Sequence, residues 1–100
     1  MDINRALRSA ASTGKVTLGQ KESAKVIEAK QAKLVVLASN IPAEDAEKLT
    51  SAAQKAGVPV YRFSGPNTEL GPACGKPFPV STMAVVDAGE SDVLALAKLK

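Results

Sequence analysis

The feature that most limits the fold of this chain is an uninterrupted apolar run, Leu34-Val35-Val36-Leu37-Ala38. Polar and apolar side chains do not alternate in it, so a strand formed by these residues must be covered on both faces. Met83-Ala84-Val85-Val86 is a second run of the same kind. Two such strands in one sheet need helices on both sides, which favours a three-layer α/β/α sandwich.

Helical and extended patterns alternate along the chain. The predicted strands are 16–18, 34–38, 60–63 and 82–87, and the predicted helices are 3–12, 20–30, 42–56, 67–74 and 88–98. Gly57 is expected to end the third helix in a left-handed conformation, and Asn67 is expected to cap the start of the fourth. This order predicts one domain over residues 1–100, of the α/β class, with a four-stranded sheet between two helical layers.

Composition narrows the class of protein further. A chain of 100 residues that is 45% hydrophobic can bury one modest core and is not disordered. No apolar run approaches the roughly 18 residues of a membrane span, and the N-terminus lacks the pattern of a signal peptide. The chain has one cysteine and no disulfide framework, which fits a reducing compartment. We therefore expect a cytoplasmic protein that does not bind membranes.

Positive charge is concentrated in the first third of the chain. Residues 1–33 have a net charge of +4, whereas residues 34–100 have a net charge of −1. A basic face of this kind suits a polyanion such as RNA. A solvated surface with no partner is the alternative, and charge alone does not separate the two.

The residue inventory argues against catalysis. The chain has no histidine, which is the commonest general base, so the single thiol of Cys74 has no imidazole to activate it. We interpret Cys74 as a small apolar residue packed beneath the proline-rich loop. Asp87, Glu90 and Asp92 crowd the start of the last predicted helix, where carboxylates favour capping over metal binding. We expect no enzyme activity, no cofactor and no metal.

The turn Gly19-Gln20-Lys21 is the first candidate site. Lys21 falls in the first turn of a predicted helix, where the helix dipole disfavours a cation, and Lys25 places a like charge four residues on. A lysine beside free helix N–H groups suits a phosphate. The alternative is an exposed lysine with no partner.

Asn40 and the segment Phe78-Pro79-Val80 complete the candidate site. Asn40 follows the carboxyl end of the central strand, where open α/β sheets bind ligands, although it could equally satisfy backbone groups in its turn. Phe78 lies between two prolines, so it is either a lid on the core or a contact for a partner. These residues share one edge of the sheet with Lys21 only if the last strand is antiparallel to its neighbours. We therefore predict a mixed sheet whose edge offers a cation, an amide and an apolar side chain, which suits RNA with a splayed-out base.

Six segments together resemble one known family. The chain resembles the large-subunit ribosomal proteins numbered thirty, of archaeal and eukaryotic type, within the superfamily of kink-turn RNA binders. The resemblance covers nearly the whole chain in matching order and spacing, and the short N-terminus is similar to archaeal members. The segments are Thr13-Gly14-Lys15, Leu18-Gly19-Gln20-Lys21, Lys33-Leu34-Val35-Val36-Leu37-Ala38-Ser39-Asn40, Glu69-Leu70-Gly71, Gly75-Lys76-Pro77-Phe78-Pro79-Val80 and Asp87-Ala88-Gly89-Glu90-Ser91-Asp92.

The resemblance implies a mixed four-stranded sheet and a loop face that holds the internal loop of a kink-turn. It places RNA contacts at Gly19, Lys21, Asn40, Phe78 and Val80, and we include the neighbouring residues Gln20 and Pro79 in the predicted site. Glu69-Leu70-Gly71 is a family marker that we interpret as structural. The family tends to have a basic residue at the start of the third helix, and that contact does not carry over because this chain has Glu44-Asp45 there.

We therefore predict a non-catalytic constituent of the large ribosomal subunit that binds a kink-turn in ribosomal RNA and is a monomer when free. One alternative is the kink-turn-binding scaffold of another ribonucleoprotein. A second alternative, from a different class, is a protein–protein regulatory module on the same fold. A strongly acidic loop face would favour that module, and Lys21 argues against it.

Overall fold

The computed structural model describes residues 3–87 and Gly89, and within them it has four helices and four strands. Their order agrees with the predicted order, and their boundaries differ from the predicted ones by a residue or two. The elements are α1 (Ile3–Thr13), β1 (Lys15–Leu18), α2 (Gln20–Glu28), β2 (Leu34–Leu37), α3 (Ala43–Ala56), β3 (Val60–Arg62), α4 (Asn67–Ala73) and β4 (Thr82–Asp87). The closing helix predicted over 88–98 lies, apart from Gly89, outside the described residues.

The four strands form one mixed sheet in the order β1-β4-β2-β3. β2 and β3 are parallel, whereas β4 is antiparallel to both of its neighbours. Leu18 of β1 is paired with Met83, and Leu37 of β2 with Thr82. The ends of β1 and β2 therefore meet the start of β4 at one edge of the sheet, which we call the loop edge. The predicted mixed sheet is confirmed.

Side chains of the central strand β2 point alternately into two cores. Leu34 and Val36 pack in the core beneath α1 and α4, whereas Val35 and Leu37 pack in the core beneath α2 and α3. All four are fully buried. The three-layer α/β/α sandwich is thus confirmed, and it explains why the sequence of this strand does not alternate.

The ends of α3 and α4 test two predictions. Gly57 ends α3 in the left-handed region, with φ 73° and ψ 27°, as predicted. The prediction that Asn67 caps α4 is wrong, because Pro66 occupies the capping position and Asn67 is the first helical residue. A residue inside the first turn is past the position from which a side chain caps its own helix. Its side chain is therefore available for a different contact.

Cys74 lies at the end of α4 and is 2% exposed, as its predicted packing role requires. Its thiol donates to Sδ of Met83 at 3.3 Å. Burial raises the pKa of Cys74 to about 11, an effect that the nearby Lys76 opposes. The thiol is therefore a packed, protonated group and not a nucleophile at neutral pH.

Two further observations apply to the described residues alone. No described helix is both long and apolar enough to cross a bilayer. Within the same residues, no group of three or more His, Cys, Asp or Glu side chains could hold a metal ion. Asp87 instead accepts a hydrogen bond from the backbone N–H of Gly89 at 2.9 Å. Glu90 and Asp92, predicted to cap the closing helix, lie outside the described part of the chain.

Candidate nucleic-acid interface

An open cleft lies on the loop edge between two segments that the sequence predicted to meet. Its volume is about 340 Å³. Leu18, Gly19 and Gln20 line one wall, and the segment Phe78–Ser81 lines the other. The antiparallel direction of β4 brings these segments together, because its start lies beside the end of β1.

Gly19 makes the turn from β1 into α2. Its φ of 99° and ψ of 156° place it in a conformation that residues with a side chain rarely adopt. A Cβ there would meet nothing within 4 Å, so glycine is required by the backbone conformation and not by crowding. The Gly19 N–H donates to the carbonyl of Thr82 at 2.8 Å, which fixes the turn against the start of β4. The start of α2 is thereby held beside the cleft.

Lys21 is exposed in the first turn of α2, as predicted. Lys25 forms an exposed ion pair with Glu22 at 3.7 Å, whereas Lys21 has no ion pair with any residue that the structure describes. The first N–H groups of a helix have no partner within the helix and attract anions. Lys21 and the start of α2 therefore offer a positively charged position next to the cleft.

Gln20, a predicted contact, has a partner within the protein. Its Nε2 donates to Oδ2 of Asp45 in the first turn of α3 at 3.1 Å. This bond joins the starts of α2 and α3. Asp45 is one of the two acidic residues at the position where the family tends to have a basic residue, and this bond gives it a structural role. The other, Glu44, is exposed.

Phe78 is 48% exposed and is the one large hydrophobic side chain to be exposed among the described residues. Pro77 and Pro79 on either side of it are also exposed. The backbone of this loop lies directly on Gly71 of α4, where a Cβ would overlap the carbonyl oxygen of Phe78. Gly71 is thus structural, as the sequence predicts, and it supports the loop that carries Phe78.

Val80 is 3% exposed and belongs to the core between the sheet and the layer of α1 and α4. Its backbone N–H donates to the carbonyl of Asn67 at 3.0 Å. In the free protein the Val80 side chain therefore anchors the loop, and it presents little surface to a ligand. Pro79 and Phe78 are the exposed members of the predicted segment.

Asn40 is exposed in the turn that follows β2 and is joined to Asn67 by two hydrogen bonds. Its Oδ1 accepts from the backbone N–H of Asn67 at 2.8 Å, and its Nδ2 donates to Oδ1 of Asn67 at 3.0 Å. Since the carbonyl of Asn67 also holds Val80, one residue joins Asn40 to the Phe78 loop. Sequence reasoning missed this role, because Asn67 matched the pattern of a helix cap.

The predicted residues thus occupy the loop edge in three groups. Five of them, Gly19, Gln20, Phe78, Pro79 and Val80, line the same cleft. Lys21 lies one residue from it, and Asn40 is connected to it through Asn67. The loop edge therefore offers a positive charge, an exposed amide and an exposed aromatic side chain to a ligand.

The chain is similar to known proteins over nearly its whole length. Residues 1–95 match the family described as ribosomal protein L7Ae/L30e/S12e/Gadd45. Large ribosomal subunit protein eL30 of Methanocaldococcus jannaschii is 44% identical over 100 residues, which are 100% of this chain and 91% of that protein. The eL30 of Methanospirillum hungatei is 49% identical over 98 residues, which are 98% of this chain and 100% of that protein. A solved structure of a protein with unknown function from Bacillus halodurans has a TM-score of 0.84 at 28% identity and covers 97% of each chain.

Proposed function

The chain belongs to the ribosomal protein L7Ae/L30e/S12e/Gadd45 family, and from that premise we propose that it is a structural constituent of the large ribosomal subunit that binds a kink-turn in ribosomal RNA. The protein is not an enzyme. Relatives that match almost end to end are named as proteins of the large ribosomal subunit, which supports the first part of the proposal. It follows that the protein acts in the cytoplasm, on the ribosome, and we propose that it is a monomer before assembly.

The observation that carries kink-turn binding is the exposed Phe78 beside the cleft on the loop edge. A kinked internal loop displaces bases from the helical stack, and a displaced base or sugar can pack against an aromatic ring. The flanking Pro77 and Pro79 limit the backbone freedom of this loop, so little conformational entropy is lost when Phe78 binds. A regular duplex has no displaced base to offer, so the same ring would not favour it.

The other wall of the site supplies the charge. The kink brings phosphates close together, and Lys21 with the start of α2 can neutralise one of them. Gln20 then has the role of holding α2 against Asp45, so that the helix start keeps its position when RNA binds. Asn40 supplies the polar contact to a base edge, because its amide can both donate and accept.

Titration of the protein with two RNA hairpins of equal length tests the proposal. One hairpin contains a kink-turn, and in the other the internal loop is replaced by Watson–Crick pairs. We expect much tighter binding to the kink-turn hairpin at physiological salt, and weaker binding to both hairpins as the salt concentration rises. Equal affinity for the two hairpins would contradict kink-turn recognition.

Sedimentation tests the ribosomal role separately. The protein should remain with large subunits through a high-salt wash, because an assembled constituent is held by shape as well as by charge. Co-sedimentation with another ribonucleoprotein and not with large subunits would contradict the ribosomal assignment and leave RNA binding in place. A folded protein with no affinity for either hairpin would favour the protein–protein module.

A further inference from the structure

The side-chain amide of Asn40 has a fixed orientation, and Asn67 fixes it. A backbone N–H can only donate, so the atom of Asn40 that faces the Asn67 N–H must be the oxygen. The Asn40 nitrogen is then the other atom, and it donates to Oδ1 of Asn67. The two bonds agree with each other, and reversal of the Asn40 amide would place two donors face to face.

The same bonds determine what Asn40 can offer to a ligand. A primary amide has two N–H donors and two acceptor lone pairs. Asn67 occupies one donor and one acceptor, which leaves one N–H and one lone pair at an exposed position. Base edges are distinguished by the order of their donors and acceptors. A free asparagine could rotate to match either order, whereas Asn40 presents one order only.

We propose that Asn67 is a positioning residue for RNA specificity, which acts by holding the Asn40 amide in a single orientation. This inference rests on the proposed RNA function. The role belongs to Asn67 because it supplies both partners of the amide, one from its backbone and one from its side chain. Its carbonyl separately holds Val80, so the orientation of Asn40 and the position of the Phe78 loop have a common support.

Two substitutions remove the contacts in steps. Asn67→Ala removes the side-chain acceptor and keeps the backbone N–H. Asn67→Pro removes the acceptor and the N–H together. Proline fits here, because the position is the first of a helix and Pro66 before it is extended, with φ −73° and ψ 175°. Both variants keep the carbonyl that holds Val80. Thr68→Ala, at the exposed neighbouring position, is the matched control.

The quantity to measure is the ratio of affinities for a kink-turn hairpin and the same hairpin with its internal-loop base pairs replaced by Watson–Crick pairs. We expect Asn67→Ala to lower this ratio about fivefold, the effect of one hydrogen bond, and Asn67→Pro to lower it further. Thr68→Ala should leave it unchanged. Asn67→Asp keeps the acceptor, so its added charge should weaken binding to both RNAs and preserve the ratio.

Variants with Asn40→Ala distinguish positioning from a general structural effect. If Asn67 acts through Asn40, the ratio for the double variant Asn40→Ala/Asn67→Ala should equal that for Asn40→Ala. An additive loss would overturn the proposal, as would an unchanged ratio for a folded Asn67→Pro variant. A wild-type protein that does not prefer the kink-turn would contradict the proposed function instead. The side-chain ¹⁵N–¹H₂ resonances of Asn40 give a readout without RNA: they should shift in Asn67→Ala and not in Thr68→Ala, and no difference would also overturn the proposal.

Discussion

The backbone carbonyl of Phe78 lies so close to the α-carbon of Gly71 that any side chain at position 71 would overlap it. Gly71 is buried in α4, and Phe78 is the exposed tip of the loop above. The loop that carries Phe78 into the cleft can therefore take this position only because Gly71 has no side chain. The packing of α4 and the shape of the proposed RNA site are coupled at this contact.

We therefore expect Gly71→Ala to weaken RNA binding, although residue 71 is buried and is not itself a proposed RNA contact. The added methyl group must push the Phe78 backbone away, and overpacking of this kind costs about 1–3 kcal/mol of unfolding free energy. Because the loop moves, we expect lower affinity for a kink-turn hairpin as well. Chemical denaturation and RNA titration of the same variant check both effects.

Gly57→Ala is the matched control for that experiment. Gly57, unlike Gly71, has a positive φ, and a Cβ there would meet nothing within 4 Å, so alanine costs about 1 kcal/mol from backbone conformation alone. It ends α3 and does not line the cleft. Its RNA affinity should equal that of the wild type. A similar loss of affinity in both variants would mean that RNA binding follows stability and not the position of the loop.

Lys21→Ala should separate RNA binding from folding. The substitution removes a cation from the start of a helix, so the unfolding free energy should stay the same or rise slightly. If Lys21 contacts one phosphate, as proposed, the dependence of log affinity on log salt concentration should become shallower by about one unit. Lys55→Ala, in the last turn of α3, removes an equal charge elsewhere and should leave the RNA titration unchanged. A lower thermal stability with normal RNA affinity would show that Lys21 is structural.

The fold could be predicted because its determinants are local. The uninterrupted apolar runs at 34–38 and 83–86 identify strands covered on both faces, and Gly57 marks a helix end. The mixed sheet followed from one further condition, that the predicted site residues share an edge. Neither the assignment of the strands and helices nor the prediction of a mixed sheet required knowledge of a specific side-chain contact.

The contacts that support the site could not be predicted, because they join different elements. The bond from Gln20 to Asp45 depends on how α2 and α3 pack, and the pair of bonds from Asn40 to Asn67 depends on where α4 begins relative to β2. Local patterns carry no information about either distance. The sequence pattern at Asn67 even suggested the wrong local role, since asparagine near a helix start usually caps it.

The pKa of Cys74 predicts a loss of stability at alkaline pH. Burial raises it to about 11 in the folded protein, whereas an exposed thiol has a pKa of about 8.5. Between these values the unfolded chain loses its thiol proton and the folded protein keeps it, so the unfolding free energy should fall as pH rises from about 8.5 to 11. Other groups titrate in the same range, so the measurement is the difference between the wild type and Cys74→Ala. A difference that is constant across this pH range would contradict the buried, protonated thiol.

Phe78→Ala tests whether the exposed ring binds RNA or covers the core. Because Phe78 is 48% exposed, its removal should change the unfolding free energy by no more than about 1 kcal/mol, the scale of surface substitutions. If the ring packs against a displaced base or sugar, the same change should cost about 1–3 kcal/mol of RNA affinity, which is the range for aromatic contacts to bases. We expect binding to the kink-turn hairpin to weaken at least tenfold. Chemical denaturation and RNA titration on one preparation measure both quantities.

Phe63→Ala provides the opposite control. Phe63 is 7% exposed in the core beneath α1 and α4, so its truncation should cost about 3–5 kcal/mol of unfolding free energy.

Phe78→Leu adds a conservative step, because leucine keeps apolar area and loses the aromatic face. The RNA affinity of Phe78→Leu should lie between those of the wild type and Phe78→Ala. If Phe78→Ala behaves like Phe63→Ala in denaturation and keeps near-normal RNA affinity, the ring is a lid on the core. The proposed RNA contacts would then reduce to Lys21 and Asn40.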